Sequence, residues 1–100
     1  MTQNQEIDFS VLEYLVSIVS GLVAHPDKVK ITETKGSDCT LFEIRVEDSD
    51  AGRVIGRQAR IVDAIRILAA AAAYSHGLTT KYHIVVLDSR RLADKDSWKR

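Results

Sequence analysis

The spacing of apolar residues changes from segment to segment, and this order constrains the fold more than any other feature of the sequence. A repeat of three to four residues predicts long helices over 10–24 and 59–76. Capping residues before Gly56 predict a short helix over 50–55. Apolar runs, mostly alternating, predict strands, which span 29–34, 40–46 and 82–87. The resulting order predicts an α+β fold in two layers, with three helices on one face of a three-stranded sheet.

Capping residues mark the first helix. Ser10 and Glu13 match a capping box, and Phe9 and Tyr14 are spaced as a hydrophobic staple. Pro26 ends the helix, because the residue before a proline avoids helical geometry. The apolar stripe that we expect to face the core comprises Leu12, Leu15, Val16, Val19, Leu22 and Val23.

Two further helices are predicted on either side of Gly56. Asp48, Ser49 and Asp50 offer N-caps for the first, and Gly77 is a C-cap for the second. The last strand is mostly apolar on both faces, which favours a central place in the sheet. The predicted core stripe of the second helix comprises Ile61, Ala64, Ile65, Leu68 and Ala72.

The charge balance argues against a protein that coats nucleic acid through a global field. Lys plus Arg and Asp plus Glu each number 14, so the formal net charge is zero. The charges are nevertheless uneven, because Arg53, Arg57, Arg60 and Arg66 lie close together with only Asp63 opposing them. Any binding of nucleic acid must therefore come from a local arrangement.

The residues that often carry chemistry do not combine into a catalytic or metal site. The single cysteine, Cys39, cannot form an internal disulfide, and the three histidines lie in different predicted elements without ligand spacing. The polar, acidic N-terminus lacks the basic region of a signal peptide. We therefore expect a cytoplasmic protein that is not an enzyme and needs neither metal nor cofactor.

The break between the two later helices is the candidate binding element. Gly56 permits a sharp turn and close approach of a ligand, and the next helix begins with unpaired N–H groups and a positive dipole end. Together these features favour an anion. Arg57 and Arg60 add donors suited to phosphate, and Val54 and Ile55 would line an apolar groove beside them. The alternative is an ordinary helix–turn–helix joint with solvated arginines, which spacing alone favours.

The same residues resemble a known family. The run Val54–Arg60, placed between Asp50–Arg53 and Ile61–Arg66, is similar to the GxxG region of type II KH domains. It is most similar to the small stand-alone bacterial KH proteins called KhpA or YlqC. His25–Val29 matches that family's pattern at the first helix–strand junction. The resemblance implies a KH domain over 9–88, and we expect a flexible segment over 1–8 and a charged tail over 89–100.

The resemblance also implies a function. In KH domains the GxxG loop clamps the backbone of about four unpaired nucleotides. Family members self-associate, pair with a larger KH protein of the Jag or KhpB type, and are linked to RNA chaperoning and to cell-wall growth and cell shape. By resemblance, the loop residues that contact RNA are Gly56, Arg57, Gln58 and Ala59. Beside the loop, the predicted RNA-binding residues are Arg53, Val54, Ile55 and Arg60.

The chain departs from the family pattern at the last loop position, where Ala59 replaces glycine. A positive φ there would make alanine unfavourable by roughly 1 kcal/mol, whereas a first helical residue would tolerate it. The second functional hypothesis is therefore a KH-fold protein-interaction module with a weakened RNA site.

The second long helix also carries a predicted dimer surface. The residues that lie off its predicted core stripe and indicate this surface are Ile67, Ala70, Ala71 and Tyr74.

Overall fold

The six predicted elements are present in the predicted order. The computed structural model describes residues 9–87, so the predictions for 1–8 and 89–100 lie outside the described residues. Each element begins and ends within about two residues of its predicted bounds. The helices are α1 (Val11–Leu22), α2 (Ala51–Ile55) and α3 (Arg60–Ser75), and the strands are β1 (Lys30–Lys35), β2 (Cys39–Arg45) and β3 (Lys81–Leu87).

The sheet has the strand order β1-β2-β3 and is mixed. β1 pairs with β2 antiparallel, and β2 pairs with β3 parallel. The prediction that β3 is central is wrong, because β2 occupies that place and β3 is an edge strand. On the second face of β3, which no further strand among residues 9–87 extends, Val85 and Leu87 are half-buried and lie beside Glu43 and Arg45 of β2. The long side chains of these neighbours can cover apolar surface with their stems.

α1 begins as the capping residues predict. The hydroxyl of Ser10 accepts the N–H of Glu13 at 3.2 Å, and the rings of Phe9 and Tyr14 lie 5.8 Å apart. The predicted core stripe is only partly right. Leu15 and Val19 are buried, but Val11 joins them, whereas Val16 and Leu22 are exposed. The buried residues repeat every four positions, so the core-facing stripe of α1 is narrow.

α3 packs against the core with a side that overlaps the predicted stripe only in part, since that side includes Ile65 and Ile61. Its buried residues are Val62, Ile65, Ala69 and Ala73, whereas Ala64 and Leu68 of the predicted stripe are exposed. The helix is apolar on two faces, so periodicity alone does not identify the one that packs against the sheet and α1. The second apolar face remains on the surface, where Ile67 is 69% exposed and Tyr74 is 83% exposed.

The core lies between the helices and one face of the sheet. Phe42 and Ile44 of β2 are fully buried there, next to Ile84 and Val86 of β3. Val54 of α2 is also fully buried, so the short helix is tied to the core. No helix within residues 9–87 is long and apolar enough to cross a membrane.

Candidate nucleic-acid interface

Gly56 ends α2 and opens the loop, as the sequence predicts. Its N–H donates to the carbonyl of Gly52 at 2.9 Å, and its φ of 79° with ψ of 171° is a conformation essentially restricted to glycine. A Cβ atom at this position would lie 2.6 Å from Cγ1 of Ile61 and 2.9 Å from its backbone nitrogen. The first residues of α3 thus pack so closely on Gly56 that no side chain fits there.

The last two loop positions, Gln58 and Ala59, are held in left-handed backbone geometry. Gln58 has φ 57° and Ala59 has φ 63°, so Ala59 precedes α3 and is not its first helical residue. Of the two possibilities left open by the sequence, the structure shows the one in which a glycine would fit better. Two consecutive L-residues in this region are unfavourable by roughly 1–2 kcal/mol each. Such local strain is typical of sites where a backbone conformation serves binding.

Two backbone N–H groups at the end of the loop donate to carbonyls of the loop itself. The N–H of Ala59 donates to the carbonyl of Gly56 at 3.2 Å, and that of Arg60 donates to the carbonyl of Arg57. These two groups hold the loop together, so they do not serve the anion site that the sequence suggested. The attraction for an anion therefore depends on the positive end of the 16-residue helix α3 and on the arginine side chains.

All four arginines of the predicted cluster are exposed, but one of them, Arg66, has a structural role. Arg57 and Arg60 are exposed and form no ion pair within residues 9–87, and the side chain of Arg53 is 61% exposed. Arg66 instead donates through Nε and Nη2 to the carbonyl of Ile84, at 3.0 and 2.8 Å, and pairs with Asp63 at 2.6 Å. It therefore joins α3 to the edge strand β3, where it satisfies an edge carbonyl.

The apolar residues beside the loop have unequal roles. Val54 has no exposed surface, so the prediction that it lines a surface groove is wrong. It supports the loop from the core, because the residues of the five-residue helix α2 that point inward are Ala51 and Val54. Ile55 is half-buried and lies directly before Gly56, so it retains surface that a base could contact.

Asp50 departs furthest from its predicted role. It forms no side-chain cap on α2, and its carboxylate is 1% exposed. Oδ1 accepts the N–H of Ala24 at 3.0 Å, and Oδ2 accepts the N–H of His25 at 3.0 Å and contacts Nδ1 of its ring at 3.1 Å. Burial alone would raise the pKa of Asp50, but the bonds from Ala24 and His25 outweigh it and hold the pKa below its ordinary value.

This carboxylate fixes the start of α2 to the junction that follows α1. Residues 25 and 26 positions apart meet there, and neither periodicity nor capping rules predict such a contact. The only sequence signal was the family pattern at His25–Val29, which gave no partner. Asp50 and Gly56 thus lie at the two ends of the short helix α2. Asp50 ties its start to the junction after α1, and Gly56 opens the loop at its end.

Comparison with known proteins identifies a family whose model covers both the junction after α1 and the loop. A family model described as KhpA/KhpB, KH domain, matches residues 13–86. The protein named RNA-binding protein KhpA of Borreliella burgdorferi is 44% identical over 62 residues, which cover 62% of this chain and 76% of the relative. The protein of the same name from Treponema pallidum is 34% identical over 76 residues, or 76% of this chain and 92% of the relative. No solved structure matches the chain significantly.

Proposed function

The chain belongs to the KhpA/KhpB family of KH-domain proteins and has the type II KH fold, and we propose on that basis that it binds single-stranded RNA through the loop Gly56–Ala59. The relatives named above carry RNA binding in their names. The proposal is for binding without catalysis, in the cytoplasm, with no metal or cofactor.

The observation that carries the proposal is the meeting of backbone geometry and charge at one loop. Gly56 brings the chain into a turn that no other residue fits, and Gln58 and Ala59 continue it in left-handed geometry. Exposed guanidinium groups of Arg57 and Arg60 flank this turn without protein partners among the described residues. Guanidinium groups suit phosphate oxygens, so the loop supplies both the close approach and the charge that an RNA backbone needs.

A titration of labelled single-stranded RNA at several salt concentrations tests this proposal. Because the loop contacts only about four nucleotides, the slope of log affinity against log salt should be no steeper than roughly −3. A duplex of the same sequence should bind more weakly, since the loop contacts unpaired nucleotides. Absence of binding, or equal binding of duplex and single strand, would contradict the proposal.

We further propose that the second apolar face of α3 is an interface with another KH domain. Ile67 is 69% exposed, Leu68 48% and Tyr74 83%, and the alanines between them would let a second helix approach closely. The partner would be a second copy of the chain, a larger KhpB-like protein, or each in turn. RNA chaperoning and a part in cell-wall growth and cell shape are the cellular roles that we assign to such a pair, by family resemblance.

A protein-interaction module with a weakened RNA site is the second candidate, and the geometry of Ala59 favours it. The positive φ of this residue strains the loop, and its methyl group stands where the family motif has only hydrogen. The variant Ala59→Gly discriminates between the candidates. A gain in RNA affinity of about tenfold or more would indicate an impaired native site, whereas an unchanged affinity would favour the RNA-binding function.

A further inference from the structure

Arg53 forms a long ion pair with a buried acid. Its Nε lies 3.3 Å from Oδ1 of Asp50, and Asp50 is the only acid that pairs with it within residues 9–87. The side chain of Arg53 is 61% exposed, whereas that of Asp50 is 1% exposed. The Nε–Oδ1 distance is long and the guanidinium of Arg53 is mostly in solvent, so Arg53 can leave the carboxylate for another anion.

His25 contacts the other oxygen of the same carboxylate. Its Nδ1 lies 3.1 Å from Oδ2 of Asp50, and its side chain is 52% exposed. The carboxylate itself is held by the N–H groups of Ala24 and His25, each at 3.0 Å. The acid is therefore the fixed partner, and the two exposed side chains, His25 and Arg53, are the ones that can move.

The two side chains compete for one negative charge. Histidine is the side chain whose charge changes near neutral pH. A protonated ring would form a charge-assisted bond to Asp50 and would repel the guanidinium of Arg53. A neutral ring leaves the charge of the carboxylate to Arg53. The proton on His25 therefore decides how strongly Asp50 holds Arg53.

We propose that Asp50 is a positioning residue for the RNA contact of Arg53, and that protonation of His25 releases Arg53 towards the RNA backbone. The inference rests on the proposed function, because Arg53 lies on α2 only three residues before Gly56. RNA would then bind more tightly as the pH falls. The ligand of the released side chain is a backbone phosphate next to those clamped by the loop.

Other charged groups on the neighbouring segments also contribute to the charge that RNA meets, but their contribution does not depend on the proton of His25. None of them forms an ion pair with His25 or Arg53 among the residues that the structure describes. A variant that removes only the proton site of His25 leaves this background unchanged. These groups are Asp27 and Lys28 after His25, Glu47 and Asp48 before α2, and Arg57, Arg60 and Asp63 after it.

The test is the affinity of the full chain for single-stranded RNA between about pH 8 and about pH 5.5 at constant ionic strength. Affinity should rise about two- to fivefold, the factor that corresponds to one weak ion pair. The rise should disappear in His25→Gln, whose neutral side chain can still reach Asp50, and in Arg53→Gln. It should persist in His83→Gln, which removes an exposed histidine on β3. The urea midpoint at each pH shows whether a change in folding stability contributes to the change in affinity.

The outcomes separate this inference from the function on which it rests. If RNA binds with an affinity that does not change with pH, or if the change persists in His25→Gln, the inference is wrong and the proposed function stands. If a rise persists in Arg53→Gln, Arg53 is not the side chain that is released, and the inference is wrong. If RNA does not bind at any pH, the proposed function is wrong and the inference falls with it.

Discussion

The carboxylate of Asp50 accepts the backbone N–H of Ala24 at 3.0 Å, and this bond joins the start of α2 to the junction that follows α1. The acid is buried, yet its oxygens are supplied with donors from the chain just after α1. The short helix that precedes the loop is therefore held at both ends, by Asp50 at its start and by the packing of Gly56 on Ile61 at its end.

Stability should fall in acid because of Asp50. Its pKa is lower in the folded chain than the value of about 3.9 in the unfolded chain, so the folded state favours the charged form. The stabilisation is complete above the unfolded value and is lost as the pH falls through the folded one. Urea unfolding of the wild type and Asp50→Asn should differ at neutral pH, and the difference should shrink below about pH 4.

Asp63→Asn is the matched control for Asp50→Asn. The side chain of Asp63 is 59% exposed, so its substitution should shift the urea midpoint little at any pH. Equal effects of the two substitutions would contradict a special role for the buried carboxylate.

Gly56→Ala should destabilise the fold by about 1–3 kcal/mol from backbone strain alone. The clash with Ile61 adds to this, because the new Cβ would lie 2.6 Å from Cγ1 of that residue. Gly52→Ala is the control in the same helix. A Cβ there meets no atom within 4 Å, so this variant should be neutral or more stable by about 0.5–1 kcal/mol. Urea denaturation measures both, and a neutral Gly56→Ala would contradict the close packing of Ile61 on Gly56.

Ala59→Gly should stabilise the fold by about 0.5–1 kcal/mol, because it relieves a positive φ at a small entropic cost. Ala64→Gly is the control, since Ala64 is exposed within α3 and its replacement should destabilise by about 1 kcal/mol. Both variants replace alanine by glycine. Changes of opposite sign in the free energy of unfolding, measured by heat or urea, would therefore reflect backbone conformation alone. Destabilisation by both would argue against left-handed geometry at position 59.

Ile67→Glu should weaken self-association. If the exposed face of α3 is a two-fold interface, each dimer loses two buried isoleucine side chains, and the dissociation constant should rise about tenfold or more. Sedimentation of the wild type and variant over a range of concentrations measures this change. Ser17→Glu, at an exposed position on α1, should leave the association unchanged. A wild type that remains monomeric at high concentration would contradict the proposed homodimer.

The sequence predicts the elements of this fold better than their contacts. The capping box at Ser10 and the break at Gly56 depend on neighbouring residues, so both are readable from the sequence. The core-facing side of α3 is decided by packing against distant residues, and its two apolar faces make Ile65 a correct prediction and Leu68 a wrong one.

The candidate site divides in the same way. Exposure of Arg57 and Arg60 follows from their place after a helix break, and the structure shows both on the surface. The partners of Asp50 lie about 25 residues away, and the burial of Val54 depends on packing against other elements, so local rules assigned these residues a cap and a groove instead.

The most direct test of the RNA clamp is the affinity of Arg57→Asp with Gln58→Asp for single-stranded RNA. The control is Lys35→Asp with Ser37→Asp, which changes the charge equally at the exposed end of β1 and in the turn after it, at the end of the sheet where α3 ends. We expect the loop variant to lose about tenfold or more in affinity, while the control stays within about threefold. Equal affinities of the two variants, with both folded, would contradict the clamp.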